Sequence, residues 1–403
     1  MNCVEELEYR GLIKDISDEK IKKLLNEKQI TFYIGTDPTA DSLHIGHLSS
    51  FLICKWLAKY GHKPIILIGG ATGLIGDPRP TSERAMITYE QVEHNFEGLK
   101  KQINKLFKEV EVVNNYTWCK DLNFIDYLRD YGKYFNINYM LNKDIIRRRL
   151  DEGITYTEFS YMIMQALDFL YLYKNKNVIM QVAGQDQWGN ITAGIELIRK
   201  KEKKEAYAFT LPLVTKKDGT KFGKSEGGAV WLDENKTSPY ELYQFFLNSE
   251  DEMVIPYLKR YTFLDKEEIE KLAVRHQKNP EAREAARKLA FEVVKFVHGE
   301  KEALKAQNTS EILFKNKGIT DDMPKVELDS LVINNGISLI DLLLEVKLAP
   351  SKSEARRLIL QGGIKLNRQK ITDVDFMVNK TVVEGDKILL QKGKKVFLQI
   401  VVK

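Results

Sequence analysis

Two histidines flank a glycine at His44-Ile45-Gly46-His47, between apolar runs at 30–34 and 51–58. The pattern predicts a strand, a turn and a helix, so the turn forms the N-terminus of that helix. A helix N-terminus suits phosphate because it presents N–H groups and a partial positive charge. Gly46 would let a flat ring or a phosphate approach the backbone, and the histidines can donate hydrogen bonds to it. The alternative is a pair of solvated loop histidines.

A second candidate phosphate-binding segment is Lys221-Phe222-Gly223-Lys224-Ser225, which lies in a loop rich in glycine and lysine. Two lysines three residues apart can close over a polyphosphate as point charges. Taken alone, such a segment is more simply a solvated hairpin. Together with the histidine turn, it indicates chemistry on a nucleotide.

Three polar side chains share one face of an otherwise apolar helix that we predict over 157–174. Tyr161, Gln165 and Asp168 are four and three residues apart, which is the spacing of one helix face. If this face is buried, the three side chains need hydrogen-bond partners. The alternative is that the face lies in solvent.

Strands and helices alternate over the first half of the chain, which predicts an α/β domain with a parallel sheet. Ligands of such sheets bind at the carboxyl ends of the strands. Three polar clusters follow predicted strands, and we expect them to converge on one cleft. They lie at 35–47, 70–77 and 183–187.

The chain changes character after this half. From Pro239 to about 307 the pattern is helical, and residues 308–335 are irregular and polar. The segment from Gly336 onward holds 13 Lys and Arg against 7 Asp and Glu, while the whole chain has a net charge of +5. We therefore expect an appended basic module with an anionic partner, the alternative being a merely soluble basic domain. The predicted organisation is a Rossmann-like parallel-sheet catalytic domain at 1–225, an all-helical domain at 226–320, a linker at 321–335 and a small α+β RNA-binding domain at 336–403.

Composition excludes several classes of protein. The apolar runs are too short to cross a membrane, and the acidic N-terminus has no apolar core of the kind a signal peptide needs. Cys3, Cys54 and Cys119 are few and widely spaced, which argues against a disulfide framework or a zinc site. We expect a cytoplasmic protein without a protein-bound metal or prosthetic group.

Four groups of residues accompany the two loops: Tyr33, Gly35, Asp37, Pro38 and Thr39; Gly73, Gly76, Asp77 and Pro78; Tyr161, Gln165 and Asp168; and Asp186-Gln187-Trp188-Gly189-Asn190. In combination, these motifs resemble those of the class I aminoacyl-tRNA synthetases, and the resemblance covers essentially the whole chain. In closer detail they resemble the bacterial tyrosyl-tRNA synthetase family, with the KFGKS segment where class I enzymes have KMSKS.

The resemblance implies a two-step reaction. Tyrosine carboxylate attacks the α-phosphorus of ATP, with Mg²⁺ accompanying the nucleotide, and the tyrosyl group then passes to the terminal adenosine of tRNA(Tyr). Tyr161, Gln165 and Asp77 would hold the ammonium, and Tyr33 and Asp168 would bond the phenol. Gln187 would lie near the carboxylate. The implied ATP-binding residues are Gly35, Asp37, Thr39, His44, Gly46, His47, Ser50, Gly184, Asp186, Lys221, Lys224 and Ser225, of which His44, His47, Lys221, Lys224 and Thr39 would be catalytic.

Two positions depart from the family pattern. The loop after Asp77 lacks a lysine that often helps to hold pyrophosphate, and Arg79 or Arg84 would have to replace it. Gln185 stands where the family commonly has a smaller residue.

The C-terminal module resembles a small RNA-binding domain first known from a ribosomal protein. This implies that Lys352, Arg356, Arg357 and Lys365 meet phosphates, the alternative being a solvated helix face. By the resemblance to the tyrosyl-tRNA synthetase family, the helical region would meet the anticodon arm and the enzyme would be a homodimer. Apolar residues at 124–140 would supply that interface or else lie in the core: Phe124, Tyr127, Leu128, Tyr134, Phe135, Tyr139 and Met140.

Three other functions remain open at this point. A tryptophanyl-tRNA synthetase would have the same turns, although Tyr33 with Asp168 favours a phenol. A nucleotidyltransferase for a small metabolite would not need the helical region or the basic tail. A non-catalytic RNA-binding protein derived from a synthetase would not need intact loops.

Overall fold

A computed structural model of the 403-residue chain describes residues 1–78, 85–150, 153–220, 222–225, 228–314, 323–393 and 396–403, apart from the side chains at 144, 145, 224, 225 and 314. The chain divides into two compact units. Unit one comprises Met1–Lys236 and Glu250–Ala285, and unit two comprises Thr237–Ser249 and Ala286–Lys403.

Unit one is built on a five-stranded parallel sheet, so the predicted Rossmann-like class is confirmed. Its strand order is β3-β2-β1-β4-β5. The inner strands read as continuous apolar runs because helices cover both faces of a parallel sheet. Phe32, Ile34, Ile66 and Ile68 are accordingly buried. The strands are β1 Thr31–Thr36, β2 Lys63–Ile68, β3 Glu111–Asn114, β4 Val178–Gly184 and β5 Tyr207–Leu211, and a hairpin adds β6 Lys224–Ser225 and β7 Gly228–Ala229.

The helices alternate with these strands and then, as the sequence predicts from Pro239 to about 307, follow one another without strands before strands return near the C-terminus. In chain order they are α1 Cys3–Tyr9, α2 Lys20–Glu27, α3 Ile45–Lys59, α4 Thr72–Ile75, α5 Tyr89–Leu106, α6 Tyr116–Cys119, α7 Phe124–Asp126, α8 Ile137–Leu141, α9 Asp144–Arg149, α10 Tyr156–Lys176, α11 Trp188–Glu202, α12 Pro239–Leu247, α13 Asp251–Tyr261, α14 Lys266–Lys278, α15 Glu284–His298, α16 Glu300–Phe314, α17 Ser330–Asn335, α18 Leu339–Glu345 and α19 Lys352–Leu360. Short 3-10 or π turns occupy Tyr127–Tyr131, Gly132–Tyr134, Gln185–Gln187, Pro280–Ala282 and Lys380–Val382.

Helix α10 carries the predicted polar face and lies against α11. Thr155 caps its start by accepting the N–H of Glu158 at 3.3 Å, and Asn177 ends it in the left-handed conformation. The two helices approach closely at Gly194, where a Cβ atom would lie 3.0 Å from Phe169 Cδ1. Phe169 is buried and also lies against Tyr33 of β1, so the packing fixes α10 relative to the sheet.

Unit two contains a second, mainly antiparallel sheet. Its strands are β8 Lys325–Leu328, β9 Ile337–Ser338, β10 Ile364–Leu366, β11 Gln369–Ile371, β12 Met377–Val378, β13 Lys387–Lys392 and β14 Val396–Val402. The order is β11-β10-β13-β14-β8, with β14 and β8 parallel, and β9 pairs separately with β12. Helices α18 and α19 contribute Leu342, Leu343 and Ile359 to its apolar core.

Two segments differ from the sequence prediction. Residues 321–335 are predicted as a linker, whereas β8 and α17 lie within them, and β8 hydrogen-bonds to β14. The pattern at 121–131 predicts one continuous helix, whereas the structure divides this segment into α7 and a π turn at Tyr127–Tyr131. In both segments each element is so short that periodicity cannot assign its structure.

Candidate active site

A cavity of about 660 Å³ opens at the carboxyl ends of β1 and β4, between which the strand order reverses. This is the position at which open α/β sheets bind ligands. Each of the three polar clusters contributes to it, so the predicted convergence is confirmed. The predicted site residues that line it are Tyr33, Gly35, Asp37, Thr39, His44, Gly46, His47, Ser50, Asp77, Tyr161, Gln165, Asp168, Gly184, Asp186 and Gln187.

His44 and His47 form a reciprocal cap at the start of α3. His44 Nδ1 accepts the backbone N–H groups of Gly46 at 3.0 Å and of His47 at 3.4 Å. His47 Nδ1 accepts the N–H of His44 at 3.2 Å. A capping box normally uses Ser or Thr with Glu or Gln. Here two imidazoles perform both roles, which excludes the alternative of solvated loop histidines.

The N–H groups expected to be free at this helix terminus already donate hydrogen bonds within the protein. The N–H of Ile45 donates to the carbonyl of Val230, and the N–H of Leu48 donates to the carbonyl of His44. The prediction that backbone N–H groups of α3 face phosphate was therefore wrong. Because Nδ1 of each imidazole accepts a hydrogen bond, each neutral ring carries its proton on Nε2. The side chains, rather than the backbone, supply the donors of this turn.

His47 remains neutral over the ordinary pH range. Burial, with a smaller contribution from His44, lowers the pKa of His47 to about 3. The two rings are stacked with centroids 3.8 Å apart. A second positive charge at that distance would be repelled, so His47 is suited to donate a hydrogen bond and unsuited to act as a cation.

The glycine of the lysine segment lies against the histidine turn. A Cβ atom at Gly223 would lie 3.5 Å from Ile45 Cγ1, and both Phe222 and Gly223 line the cavity. The ring of Phe222 lies 4.2 Å from that of Tyr257 on α13. The segment is thus anchored at the cavity mouth, unlike a solvated hairpin. Lys221 lies outside the described residues, as do Arg79 and Arg84, and the side chains of Lys224 and Ser225 are not described.

Tyr33 and Asp168 form the inner end of the cavity. The Tyr33 hydroxyl is buried and makes no hydrogen bond to any described residue. Burial, followed by the nearby Asp168 carboxylate, raises the pKa of Tyr33 well above its ordinary value, so it keeps its proton. Gln181, opposite Tyr33 in the sheet register, also has a buried side-chain oxygen without a partner in the described structure. Buried polar groups of this kind at a cavity floor are able to bond a polar ligand.

Asp168 is held by two N–H donors. Asn115 Nδ2 donates to one carboxylate oxygen at 2.9 Å and Trp118 Nε1 donates to the other at 2.9 Å. Burial raises the pKa of Asp168 to about 7, against the lowering effect of these two bonds. Tyr161 and Asp168 are both buried on α10, so the alternative that this helix face lies in solvent is excluded.

Asp37, predicted to face ATP, is bonded to the segment after β2 and to α10. Its carboxylate accepts the hydroxyl of Tyr161 at 2.8 Å and the hydroxyl of Thr72 at 2.8 Å. Asn115 Nδ2 also donates to Thr72 at 3.1 Å. A continuous hydrogen-bond network therefore joins the loop after β1 to Asp168.

Asp77 belongs to a second network with the segment after β4. Gln187 Nε2 donates to Asp77 at 2.8 Å, and Asn190 Nδ2 donates to it at 3.2 Å. Gly69, at the end of β2, leaves room for the first network: a Cβ atom there would lie 2.3 Å from Asp37 Oδ1. Among the described residues, no group of three or more His, Cys, Asp or Glu side chains could hold a metal ion.

The sequence did not single out Asn115, Trp118, Gln181 or Arg260, which line the cavity or bond residues that do. Asn115 and Trp118 directly follow β3, whose carboxyl end lies at the same edge of the sheet as the other clusters. That position was an available signal. Arg260 comes from α13, in a segment with no recognisable motif.

The basic residues predicted to bind RNA lie on α19 and β10 of unit two. Lys352, Arg356 and Arg357 are exposed on α19, whose Ala355 and Ile359 are buried. Lys352 pairs with Asp341 at 2.9 Å, and Arg357 pairs with Glu354 at 2.7 Å. Exposed pairs of this kind are weak and can exchange a carboxylate for a phosphate. No described helix is long and apolar enough to cross a membrane.

Comparisons with known proteins agree with this geometry. A family model described as class I tRNA synthetases (W and Y) matches residues 25–315. A second, described as the tyrosine--tRNA ligase SYY-like C-terminal domain, matches residues 316–400. Tyrosine--tRNA ligases from Acetivibrio thermocellus and Limosilactobacillus reuteri are each 48% identical over 98% of both chains.

Solved structures give the same relationship. A C-terminally truncated mitochondrial tyrosyl-tRNA synthetase from Aspergillus nidulans has a TM-score of 0.71 at 32% identity, covering 77% of this chain and 94% of that one. A tryptophanyl-tRNA synthetase from Encephalitozoon cuniculi has a TM-score of 0.56 at 15% identity, covering 75% and 87%, which indicates a shared fold alone. The chain therefore belongs to the class I tRNA synthetases and, within them, to the tyrosine--tRNA ligases.

Proposed function

We propose that the cavity of unit one activates L-tyrosine with ATP and transfers the tyrosyl group to the 3′-terminal adenosine of tRNA(Tyr). The carboxylate of tyrosine attacks the α-phosphorus, the bond from that phosphorus to the α,β-bridging oxygen breaks, and pyrophosphate leaves with Mg²⁺. A ribose hydroxyl of tRNA then attacks the adenylate carbonyl and releases AMP. The attacking carboxylate is already ionised, so the first step depends on positioning and charge stabilisation.

The observation that carries this proposal is the donor and acceptor pair at the cavity floor. The Tyr33 hydroxyl keeps its proton and has no partner among the described residues, whereas ionised Asp168 is an acceptor. A phenol needs one donor and one acceptor, so it satisfies both. Indole offers only a donor, and phenylalanine offers neither. A substrate that lacks the hydroxyl is rejected because the protein groups would remain unpaired, and tyrosyl-tRNA synthetases are the standard example of this kind of discrimination.

The substrate ammonium fits between Tyr161, Gln165 and Asp77. The hydroxyl of Tyr161 donates to Asp37, so its oxygen is left to accept from the ammonium. Asp77 is oriented by Gln187, which would place the Gln187 amide near the substrate carboxylate. The two networks would hold the tyrosine backbone and ring at once.

The nucleotide would occupy the part of the cavity between the histidine turn and the Phe222–Gly223 segment. We assign Gly35, Asp37, Thr39, His44, Gly46, His47 and Ser50 to this part, with Gly184 and Asp186 at the ribose. Nε2–H of His44 and His47 would donate to the nucleotide. Lys221, Lys224 and Ser225 are proposed to meet the pyrophosphate, with Mg²⁺ carried in as part of the nucleotide substrate.

Unit two is proposed to bind tRNA through its helices and through Lys352, Arg356, Arg357 and Lys365. The support is the exposure of the three α19 residues and the weak ion pairs described above. Contacts to phosphate depend strongly on salt. Replacing Arg356 and Arg357 by Gln should raise the KM for tRNA in tyrosylation and reduce its salt dependence, while the rate of adenylate formation stays unchanged. An equal loss in both reactions would contradict this assignment.

A homodimer is proposed from the apolar side chains exposed in one stretch of unit one. Phe124 is 66% exposed and Leu128 is 42% exposed, whereas Met140 of the same predicted group is buried in the core. Phe124→Asp should convert the protein to a monomer in light scattering. Val274→Asp, at a similarly exposed position on α14, is the control that should leave the mass unchanged. A monomeric wild-type protein would contradict the proposal.

The three cysteines are all unpaired thiols, which supports the proposed cytoplasmic location because that compartment keeps thiols reduced.

The transfer step is tested with total tRNA and labelled tyrosine. We expect labelled tRNA that is sensitive to mild base, as an ester is. Formation of the adenylate without labelled tRNA would support the proposed activation of tyrosine and contradict the proposed transfer to tRNA.

A further inference from the structure

Arg260 lies at the wall of the active-site cavity and is buried, with 6% of its surface exposed. Its Nε donates to the hydroxyl of Ser49 on α3 at 2.9 Å. Its two terminal nitrogens donate to the carbonyls of Pro212 at 2.9 Å and of Gly11 at 3.3 Å. All three partners are neutral, so the guanidinium is oriented by the protein while its charge is left unbalanced.

The other buried arginines that the structure describes are each paired with a carboxylate. Arg10 forms an ion pair with Glu6 at 2.6 Å, and Arg149 forms one with Glu158 at 3.0 Å. No ion pair between described residues involves Arg260. A buried charge is unfavourable unless an opposite charge accompanies it. The contrast indicates that the counter-charge of Arg260 is a ligand.

The charges of the cavity wall point to the same conclusion. Its described lining includes the carboxyl groups of Asp37, Asp77, Asp168 and Asp186, and Arg260 is the only lysine or arginine among those lining residues. His47 is neutral, for the reasons given above. A wall of this composition repels a polyphosphate unless cations offset the carboxylates. Burial lowers the pKa of Arg260 to about 10, so it is still protonated at neutral pH.

We propose that Arg260 is a further residue of the nucleotide site, whose fixed positive charge offsets the negative charge of bound ATP. This inference rests on the proposed activation of tyrosine by ATP. Direct contact is not required, because the interaction of two charges falls only with the inverse of their distance and salt screens it over about 10 Å at 0.1 M ionic strength. Arg260 would thus act on the nucleotide through its charge. Neutral groups on α3 and on the segment after β5 hold its guanidinium, and both of these segments line the cavity.

The test compares ligands that differ in charge and share the nucleoside. Arg260→Met keeps the length and apolar stem of the side chain and removes the charge, and Arg260→Lys restores it. Calorimetric titration with Mg–ATP should show affinity weakened about tenfold in Arg260→Met and largely recovered in Arg260→Lys. Affinity for uncharged adenosine, and for tyrosine, should change less than twofold. Lys259→Gln, which removes a charge lying over the ring of Tyr9 and not at this cavity, should change none of the three.

A second variant separates charge from anchoring. Ser49→Ala removes the hydroxyl that Arg260 bonds and leaves the guanidinium in place, so affinity for Mg–ATP should stay within twofold. If thermal melting shows that Arg260→Met does not fold, Arg260→Gln, which also removes the charge, takes its place in the same titrations with the same expected and overturning results. Equal weakening of ATP and adenosine in Arg260→Met, or a loss in Ser49→Ala as large as the loss in Arg260→Met, would overturn the inference. Wild-type protein without tyrosine-dependent pyrophosphate exchange would instead contradict the proposed function, and the calorimetry would still decide the role of the charge.

Discussion

His44 and His47 each accept the other's backbone N–H at ring nitrogen Nδ1, with the two rings 3.8 Å apart. This arrangement closes the start of α3 and sets both tautomers. It converts a helix terminus, which ordinarily offers backbone N–H groups to an anion, into one that offers two imidazole N–H groups. The two histidines thus have a structural role as well as the catalytic role proposed for them.

Replacing His47 by Ala should slow adenylate formation about 100-fold, because the variant loses the donor that we propose meets the developing phosphate charge. Tyrosine affinity should change little, since tyrosine is proposed to bind at the opposite end of the cavity, against Tyr33 and Asp168. Rapid-quench measurement of adenylate and equilibrium titration of tyrosine separate the two effects. His94→Ala, at an exposed histidine of α5, is the control. A rate unchanged within error would remove His47 from the mechanism.

Acid should destabilise the folded protein through its buried histidines. Burial lowers the pKa of His47 to about 3 and also lowers the pKa of His62 below its ordinary value of 6.5. The unfolded chain therefore binds more protons than the folded protein as the pH falls below that value. Protonation of His47 in the unfolded chain should reduce the free energy of unfolding by about 1–2 kcal/mol between pH 7 and pH 5. The stabilising contribution is complete above that range and is lost as the pH falls.

Asp168 has the opposite effect on the free energy of unfolding: its contribution rises as the pH falls through the same range. Burial raises its pKa to about 7, so the folded protein binds more protons at this carboxyl than the unfolded chain does. The histidine contribution is therefore best measured as a difference between proteins. His47→Asn keeps an acceptor near the Nδ1 position and removes the titration, so between pH 7 and pH 5 its free energy of unfolding in urea should fall by about 1–2 kcal/mol less than that of the wild type. Parallel pH dependences would contradict the assigned shift of His47.

Tyr33→Phe should stabilise the empty protein and weaken tyrosine binding. The buried hydroxyl has no partner among the described residues, and leaving such a group unpaired costs about 1–3 kcal/mol. We expect a higher melting temperature, about tenfold weaker tyrosine binding and unchanged phenylalanine binding. A variant that binds tyrosine like the wild type would show that this hydroxyl does not recognise the substrate.

Trp118→Phe should raise the pKa of Asp168 further, because one of its two N–H donors disappears. Stacking on Tyr171, at a centroid distance of 4.2 Å, should persist. Tyrosine binding, for which the ionised Asp168 carboxylate is the proposed acceptor, should weaken below pH 7 in the wild type and at a higher pH in the variant. Titrations across pH 5.5–9 would reveal the midpoint, and an identical midpoint in both proteins would contradict the role of Trp118.

The fold could be predicted from the sequence where the pattern is long and consistent. The apolar runs of β1, β2 and β4, each followed by a polar cluster, placed the cavity correctly. The relation of Asn115 and Trp118 to Asp168 could not be predicted, because it depends on how far β3 lies from α10 in space. The use of the N–H groups of α3 depends on the rotamers of His44 and His47, which no spacing encodes. Residues 321–335 were misread as a linker because β8 is completed only by β14, about 70 residues later in the chain.

Tyrosine-dependent ATP–pyrophosphate exchange tests the central claim most directly. The assay measures reversal of adenylate formation and needs no tRNA. The structure predicts rapid exchange with tyrosine and none above background with phenylalanine or tryptophan at equal concentration, because only a phenol pairs with both Tyr33 and Asp168. Exchange supported by tryptophan, or no exchange with any amino acid by folded protein, would contradict the account.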